Sequence, residues 1–176
     1  NSIYNKIDLY SSFLDQYSYF NIEKYTTKGS SFNTKIYLKR IELNIGSSYI
    51  GRFNKLSESY SSPKFFFSTD YNFSALFYIN KTSKLNVFYK KTGKMPSFNL
   101  IDEEVIELSS QSYEILDLSI NKTFIDGSIT LSTGAKNLFD VKNITQNSST
   151  NSVHSSSNNI AVGYGRTYFI RINIRL

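Results

Sequence analysis

The sequence predicts an all-β chain, an antiparallel transmembrane β-barrel segment of about eight strands in a single unit over residues 1–176. Three observations predict it. Apolar and polar residues alternate with a period of two over long stretches, which places them on opposite faces of a sheet. Several of these stretches exceed ten residues, where an ordinary soluble strand runs about five or six. The connections between them alternate between short and long, as in outer-membrane barrels with tight turns on one side and long loops on the other.

Composition narrows the class. With 40% hydrophobic and 19% charged residues the chain can build a fold, and it is not a disordered tail. Fourteen Tyr, fourteen Phe and only two Pro favour strands over helices. The formal charge of +6 raises nucleic acid as a partner. No basic cluster exceeds "YLKR" or "YKKTGK", both beside turn signals, so no nucleic acid is expected. The absence of Cys excludes disulfides and thiolate metal sites. No segment approaches the eighteen or so apolar residues of a membrane helix. The first residue, Asn1, leads at once into the strand-like "IYNKIDLY", without a signal peptide, so the chain is expected to be a piece of a longer protein.

The elements follow in order. Strands are expected over 3–13, 18–39, 41–54, 64–80, 84–92, 112–124, 129–138 and 164–176. In "IELNIGSSYI", Ile41, Leu43 and Ile45 alternate with Glu42, Asn44 and Gly46. In "KFFFSTDYNFSALFYI", Phe65, Phe67, Tyr71, Phe73, Phe77 and Ile79 share one face, and Phe66, Ser68, Asp70, Asn72 and Ser74 the other. In "TYFIRINIRL", Ile170, Ile172 and Ile174 alternate with Arg171, Asn173 and Arg175. Short turns are expected near Lys39-Arg40, Asn80 to Ser83 and Asp126-Gly127, and long loops near 55–63, 93–111 and 139–163. A soluble sandwich or lipocalin-like barrel would alternate in the same way with its apolar face inward; strand length and the asymmetry of the connections favour the membrane.

"FIDGSI" sets a register. Asp126-Gly127 suits a two-residue hairpin turn because both positions tolerate positive φ. Ile125 then faces Ser128, and counting outward pairs Thr123 with Thr130, Asn121 with Ser132, Ser119 with Gly134 and Asp117 with Lys136. The alternate set pairs Phe124 with Ile129, Ile120 with Thr133 and Leu118 with Ala135. A one-residue slip would mix the faces. Asp117 and Lys136 are expected to form a cross-strand ion pair.

"LDLSINKTFIDGSITLSTGAKNLFDVKNI", then a loop and the terminal "GYGRTYFIRINIRL", resembles the C-terminal end of TonB-dependent outer-membrane receptors. The residues that carry it are Leu116-Asp117, Gly134 with Asn137-Leu138-Phe139-Asp140, and Gly165-Arg166-Thr167-Tyr168-Phe169. Upstream, "YFNIEKYTTKG" resembles the family's strand with Tyr, Asn and a following Gly. The resemblance implies that residues 1–176 are the C-terminal part, about the last third, of a 22-stranded barrel. It implies an active importer of an iron chelate, haem or cobalamin in the bacterial outer membrane, and not an enzyme. Implied partners are outer-membrane lipid, the remaining strands and plug of the same receptor, the inner-membrane energy-coupling complex through the absent N-terminal part, and a surface lipoprotein. No resident cofactor is implied. The chain departs from the family pattern in ending on Leu176 rather than an aromatic. It also lacks the Pro-rich approach of the glycan-importing subclass, which favours the haem, cobalamin or siderophore type. Two rivals stand beside this reading: a free-standing eight-stranded outer-membrane barrel with a structural or adhesive role, and a soluble ligand-binding barrel.

Within this frame Ile170, Ile172 and Ile174 are expected to face lipid, and Asp117, Lys136, Arg171 and Arg175 the lumen. Eight strands of a much larger wall cannot close, so residues 3–13 and 170–176 are expected not to pair with each other. Gly134 is expected to ease its strand past a lumenal neighbour, and Asn137 to end the ladder. His154, the one His, is the candidate ligand-binding residue, in the loop "NSVHSSSNN"; a solvated loop His is the alternative. The run Asp102-Glu103-Glu104 reads as solvated acids, with a cation site as its alternative. With one His in a loop, no Ser/His/Asp set is credible, and no catalytic residue is expected.

Overall fold

A computed structural model describes residues 2–4, 7–11, 17–21, 24–54, 65–101, 104–148 and 158–175. The strands are β1 Ser2–Tyr4, β2 Ile7–Ser11, β3 Tyr17–Asn21, β4 Lys24–Leu38, β5 Ile41–Asn54, β6 Phe66–Tyr78, β7 Ser83–Thr92, β8 Met95–Ile101, β9 Glu104–Ser110, β10 Tyr113–Phe124, β11 Ile129–Lys136, β12 Asn143–Ser148, β13 Asn158–Ala161 and β14 Thr167–Ile174. The fold is all-β and antiparallel. Its main sheet has eight strands in the order β1-β4-β5-β6-β7-β10-β11-β14. Seven of these are the long segments read from the sequence, and β1 is a three-residue strand at one edge.

The sheet is open. β1 and β14 form its two edges and do not pair with each other, as expected for the terminal segments. Its strands form one up-and-down run, so the turns at Lys39-Arg40, at 79–82 and at 125–128 lie along one edge. The strand ends Tyr4 and Lys24, Asn54 and Phe66, Thr92 and Tyr113, and Lys136 and Thr167, which the longer connections join, lie along the other. The short turns have visible causes. Asn80 accepts through Oδ1 from the amides of Thr82 at 3.0 Å and Ser83 at 2.8 Å, an Asx-type closure. Between β10 and β11 the Ser128 amide donates to the Ile125 carbonyl at 2.9 Å.

The β10–β11 register is the expected one, from Phe124↔Ile129 through Thr123↔Thr130, Asn121↔Ser132 and Ser119↔Gly134 to Leu118↔Ala135. The turn chemistry differs from the expectation. Residues Ile125–Gly127 form a 3-10 turn with positive φ at Ile125 (50°) and Gly127 (99°). The ladder closes at Phe124↔Ile129, so the connection is four residues long and not a two-residue hairpin. The ladder also stops short of Asp117–Lys136. Leu138 donates its amide to the Leu116 carbonyl at 2.8 Å, one residue out of step with the register below it. This is a bulge at the strand end.

Three expectations need correction. The strand expected over 3–13 divides: β1 joins the main sheet through Ile3↔Tyr25, while β2 pairs with β3 in a separate hairpin. The strand expected over 18–39 divides likewise into β3 and β4. Alternation shows that a segment is extended but not which partner completes its hydrogen bonds. The loops expected over 93–111 and 139–163 contain β8, β9, β12 and β13, which form a second, four-stranded sheet in the order β13-β12-β9-β8. The two connections meet through β9 and β12, as in Gln146↔Ser110 and Asn147↔Ser109. The loop expected over 55–63 lies outside the described residues.

The ladders settle the faces of the main sheet. One cross-strand row runs Ile41↔Phe77↔Leu85↔Ile120↔Thr133↔Ile170, and the next Leu43↔Ala75↔Val87↔Leu118↔Ala135↔Tyr168. The opposite face carries Asn44↔Ser74↔Phe88↔Asp117 and Lys84↔Asn121↔Ser132↔Arg171. Among the described residues, the buried hydrophobics are Phe53 and Ala75. The apolar face stands open: Ile170, Ile172 and Ile174 are 76%, 63% and 65% exposed, and Phe32, Ile36, Leu38, Ile45 and Tyr71 are exposed with them. One sheet layer without a covering layer has nowhere to build an interior core.

Candidate functional site

The polar face holds the candidate site residues. Lys136 lies opposite Thr167, next in line to Phe169↔Gly134 and Arg171↔Ser132, and Asp117 lies opposite Phe88 on the same face. Arg175 continues the alternation of Arg171 and Asn173 just beyond β14, with its amide donating to the Ser128 carbonyl at 2.8 Å. So Asp117, Lys136, Arg171 and Arg175 share one face. The expected Asp117–Lys136 ion pair is not formed. The bulge brings the Asn137 amide to Asp117 instead, and Asp117 Oδ1 accepts it at 2.8 Å. Lys136 Nζ lies 5.9 Å from the Phe169 ring centroid. Gly134 is the small residue this face requires. A Cβ there would collide with the Leu118 carbonyl oxygen and lie 2.7 Å from Ser119 Cβ.

Other polar contacts line the same face. Arg52 Nη1 donates to Ser68 Oγ at 2.6 Å, the Tyr78 hydroxyl donates to Glu42, and Thr123 and Thr130 share a hydroxyl contact at 3.3 Å. A shallow hollow of about 330 Å³ is lined there by Lys35, Glu42, Asn44, Ser74 and Asn86. Asn44 Oδ1 is buried in it without a hydrogen-bond partner. The sequence reading placed Glu42 and Asn44 opposite the apolar face without giving them a role, and did not name Arg52. Their parity with Gly46 and Ser48 in β5 was the available signal.

The most closely built cluster lies where "NLFD" meets "GYGR". Asn137 adopts φ 52°, directly after β11 ends. Its side chain closes the following turn in both directions: Nδ2 donates to the Val141 carbonyl at 2.8 Å, and Oδ1 accepts the Val141 amide at 3.0 Å. The Asp140 amide donates to the Asn137 carbonyl at 2.8 Å. Arg166 then ties this turn to the start of β14. Its Nε and Nη2 donate to the Leu138 carbonyl at 3.1 and 2.6 Å, and its amide donates to Asp140 Oδ1 at 2.8 Å. Gly165 adopts φ 82°, and a Cβ there would lie 2.6 Å from Asp140 Oδ1. The two motifs are a structural clasp across the connection between β11 and β14. Asn137 ending the ladder follows the sequence expectation; the part played by Arg166 was missed, because it depends on a contact 28 residues away in sequence.

The clasp predicts a pH dependence. The Arg166 amide, aided by the Lys142 ammonium at 3.5 Å, holds the Asp140 carboxyl below its ordinary value of 3.8. A carboxyl depressed in the folded state contributes stability that is present above its unfolded value and lost as pH falls through its folded value. Hydrogen exchange at the Arg166 amide is therefore expected to be slow at neutral pH and to lose its protection as pH falls through the depressed Asp140 value, below 3.8. Protection unchanged down to full protonation, measured against an Asp140→Asn variant, would refute it.

His154 lies outside the described residues, as do Asp102 and Glu103. Glu104 opens β9. No group of three or more His, Cys, Asp or Glu that could hold a metal occurs among the described residues. Compared with protein-family models, with curated proteins and with solved structures, the chain matches none.

Proposed function

We propose that the chain is part of the wall of an outer-membrane β-barrel, the C-terminal portion of a TonB-dependent receptor that imports a scarce nutrient such as an iron chelate, haem or cobalamin. In this reading it is not an enzyme. The apolar face meets lipid. The polar face, with Asp117, Lys136, Arg171 and Arg175, lines the lumen toward the receptor's plug. The long connections face the cell exterior, and the short turns the periplasm.

The carrying observation is the single-layer sheet with one largely apolar face and, among the described residues, two unpaired edges. In water such a face would expose a large apolar patch; in a bilayer it is the solvated side. Charged residues on that face fit the assignment by position. Lys91 is paired with Glu114 at 2.9 Å, and Lys28 and Lys122 lie near strand ends over Phe65 and Phe124 at 3.9 and 5.3 Å. From there long side chains reach the headgroups. The unpaired edges fit a piece of a larger barrel, since an open edge within lipid leaves backbone groups unsatisfied.

The import function itself rests on the resemblance in "NLFD" and "GRTYF". The experiment is membrane fractionation together with the coding sequence upstream. The protein is expected to resist alkaline extraction, to require detergent, and to carry several hundred preceding residues with a plug. A protein soluble without detergent would favour the ligand-binding barrel. A closed eight-stranded barrel of this chain alone would favour the small outer-membrane barrel.

A further inference from the structure

The two edges of the main sheet differ in charge. Along the long-connection edge the signs mix: Asp70, Glu114, Asp117 and Asp140 stand among Lys28, Arg52, Lys91, Lys142 and Arg166. Along the short-turn edge cations predominate. Lys39 and Arg40 occupy the first turn, Lys81 the second, Lys122 the strand end beside the third, and Arg175 the end of β14; all are exposed. Asp126 is the one acidic residue in these three turns. Glu42, the nearest carboxylate inside the sheet, faces the polar side and accepts from Tyr78. Lys84, also on the polar side, rests over the Tyr78 ring at 4.9 Å.

These turns form one continuous rim. The Tyr78 amide donates to the Arg40 carbonyl at 2.9 Å, that of Thr123 to Thr82 at 2.8 Å, and that of Arg175 to Ser128 at 2.8 Å. Successive turns are two strand spacings apart, about 10 Å. Directly above the cations the apolar face ends in exposed Leu38, Ile79, Phe124 and Ile174. Apolar side chains at acyl depth and cations at headgroup depth thus lie side by side along the whole edge.

We propose that this short-turn rim binds the anionic headgroups of phospholipids in the adjoining leaflet. The proposal rests on the reading of the sheet as a membrane wall. The occupant follows from the pattern. A soluble polyanion would be met by cations alone, whereas here each cation borders an apolar residue that requires an acyl chain beside it. Lys39, Arg40, Lys81 and Lys122 contact the headgroup phosphates, and Leu38, Ile79, Phe124 and Ile174 contact the chains.

The test uses the full-length protein in bilayer discs of equal phosphatidylcholine and phosphatidylglycerol, returned to detergent, with retained lipid counted by native mass spectrometry. A basic residue near an anionic surface is worth about fivefold in occupancy, so phosphatidylglycerol is expected to be retained at least about fivefold over phosphatidylcholine. The combined change Lys39→Gln, Arg40→Gln, Lys81→Gln and Lys122→Gln is expected to abolish the preference. The exposed turn pair Lys39→Gln with Arg40→Gln is expected to weaken it. Lys90→Gln with Lys94→Gln, away from the rim, is expected to leave it unchanged. Equal retention of the two lipids, or a preference that survives the fourfold change, would overturn the proposal. Failure of the unaltered protein to insert into vesicles of phosphatidylcholine alone would overturn the wall reading, and the rim with it.

Discussion

Ile172→Arg is expected to destabilise the inserted protein by about 2–4 kcal/mol, the cost of an arginine on the lipid face at mid-membrane depth. Asn173→Arg, one residue along, is expected to cost under about 1 kcal/mol, because the polar face already carries Arg171 and Arg175. The contrast follows from the ladder. Ile172 lies opposite Leu131 in the apolar band, and Asn173 opposite Thr130 on the other face. Ile172 also sits between Ile170 and Ile174, all open to the surroundings. A charge there has no carboxylate on the neighbouring strand to meet it. Denaturant titration of the protein folded into lipid vesicles measures both variants. In a soluble barrel with its apolar face inward, Ile172→Arg would instead prevent folding in water, and the protein would not require vesicles. Equal costs for the two substitutions would show that the faces are wrongly assigned.

Asn137→Ala is expected to cost about 2–5 kcal/mol, from the backbone and the hydrogen bonds together. Two contributions add. Asn tolerates the left-handed backbone at φ 52°, whereas Ala there costs about 1–2 kcal/mol. The side chain also makes two hydrogen bonds to Val141, each worth about 0.5–1.5 kcal/mol net. Asn137→Gly separates them, since glycine accepts the backbone and loses only the bonds; it is expected to recover about half of the loss. The same titration reads both. If Asn137→Gly is as damaging as Asn137→Ala, the hydrogen bonds carry the effect and the backbone contributes nothing. If neither changes stability, the clasp does not hold the connection between β11 and β14.

The sequence by itself determined the seven long strands of the main sheet and which of their residues share a face. Period-two patterning in "KFFFSTDYNFSALFYI" and "TYFIRINIRL" assigns each side chain to a side without knowledge of any partner, because successive residues on extended backbone must point oppositely. It also determined the β10–β11 register, since only one alignment keeps Leu118, Ile120 and Phe124 together across from Ala135, Thr133 and Ile129. The tertiary structure decided what depends on contacts between distant segments. The division of residues 3–13 between the main sheet and the β2–β3 hairpin is of this kind, because the same extended backbone can satisfy its amides against either partner. So is the joining of the two long connections through β9 and β12. Asp117 is the clearest case among the candidate site residues. Counting along the strands places it opposite Lys136, and the two do share one face of the sheet. A one-residue bulge after Ala135 then presents the Asn137 amide to it, and a fixed backbone donor displaces a flexible ammonium. The bulge adjoins the turn that Asn137 closes, and the Arg166 side chain that holds this turn has a partner no local pattern names.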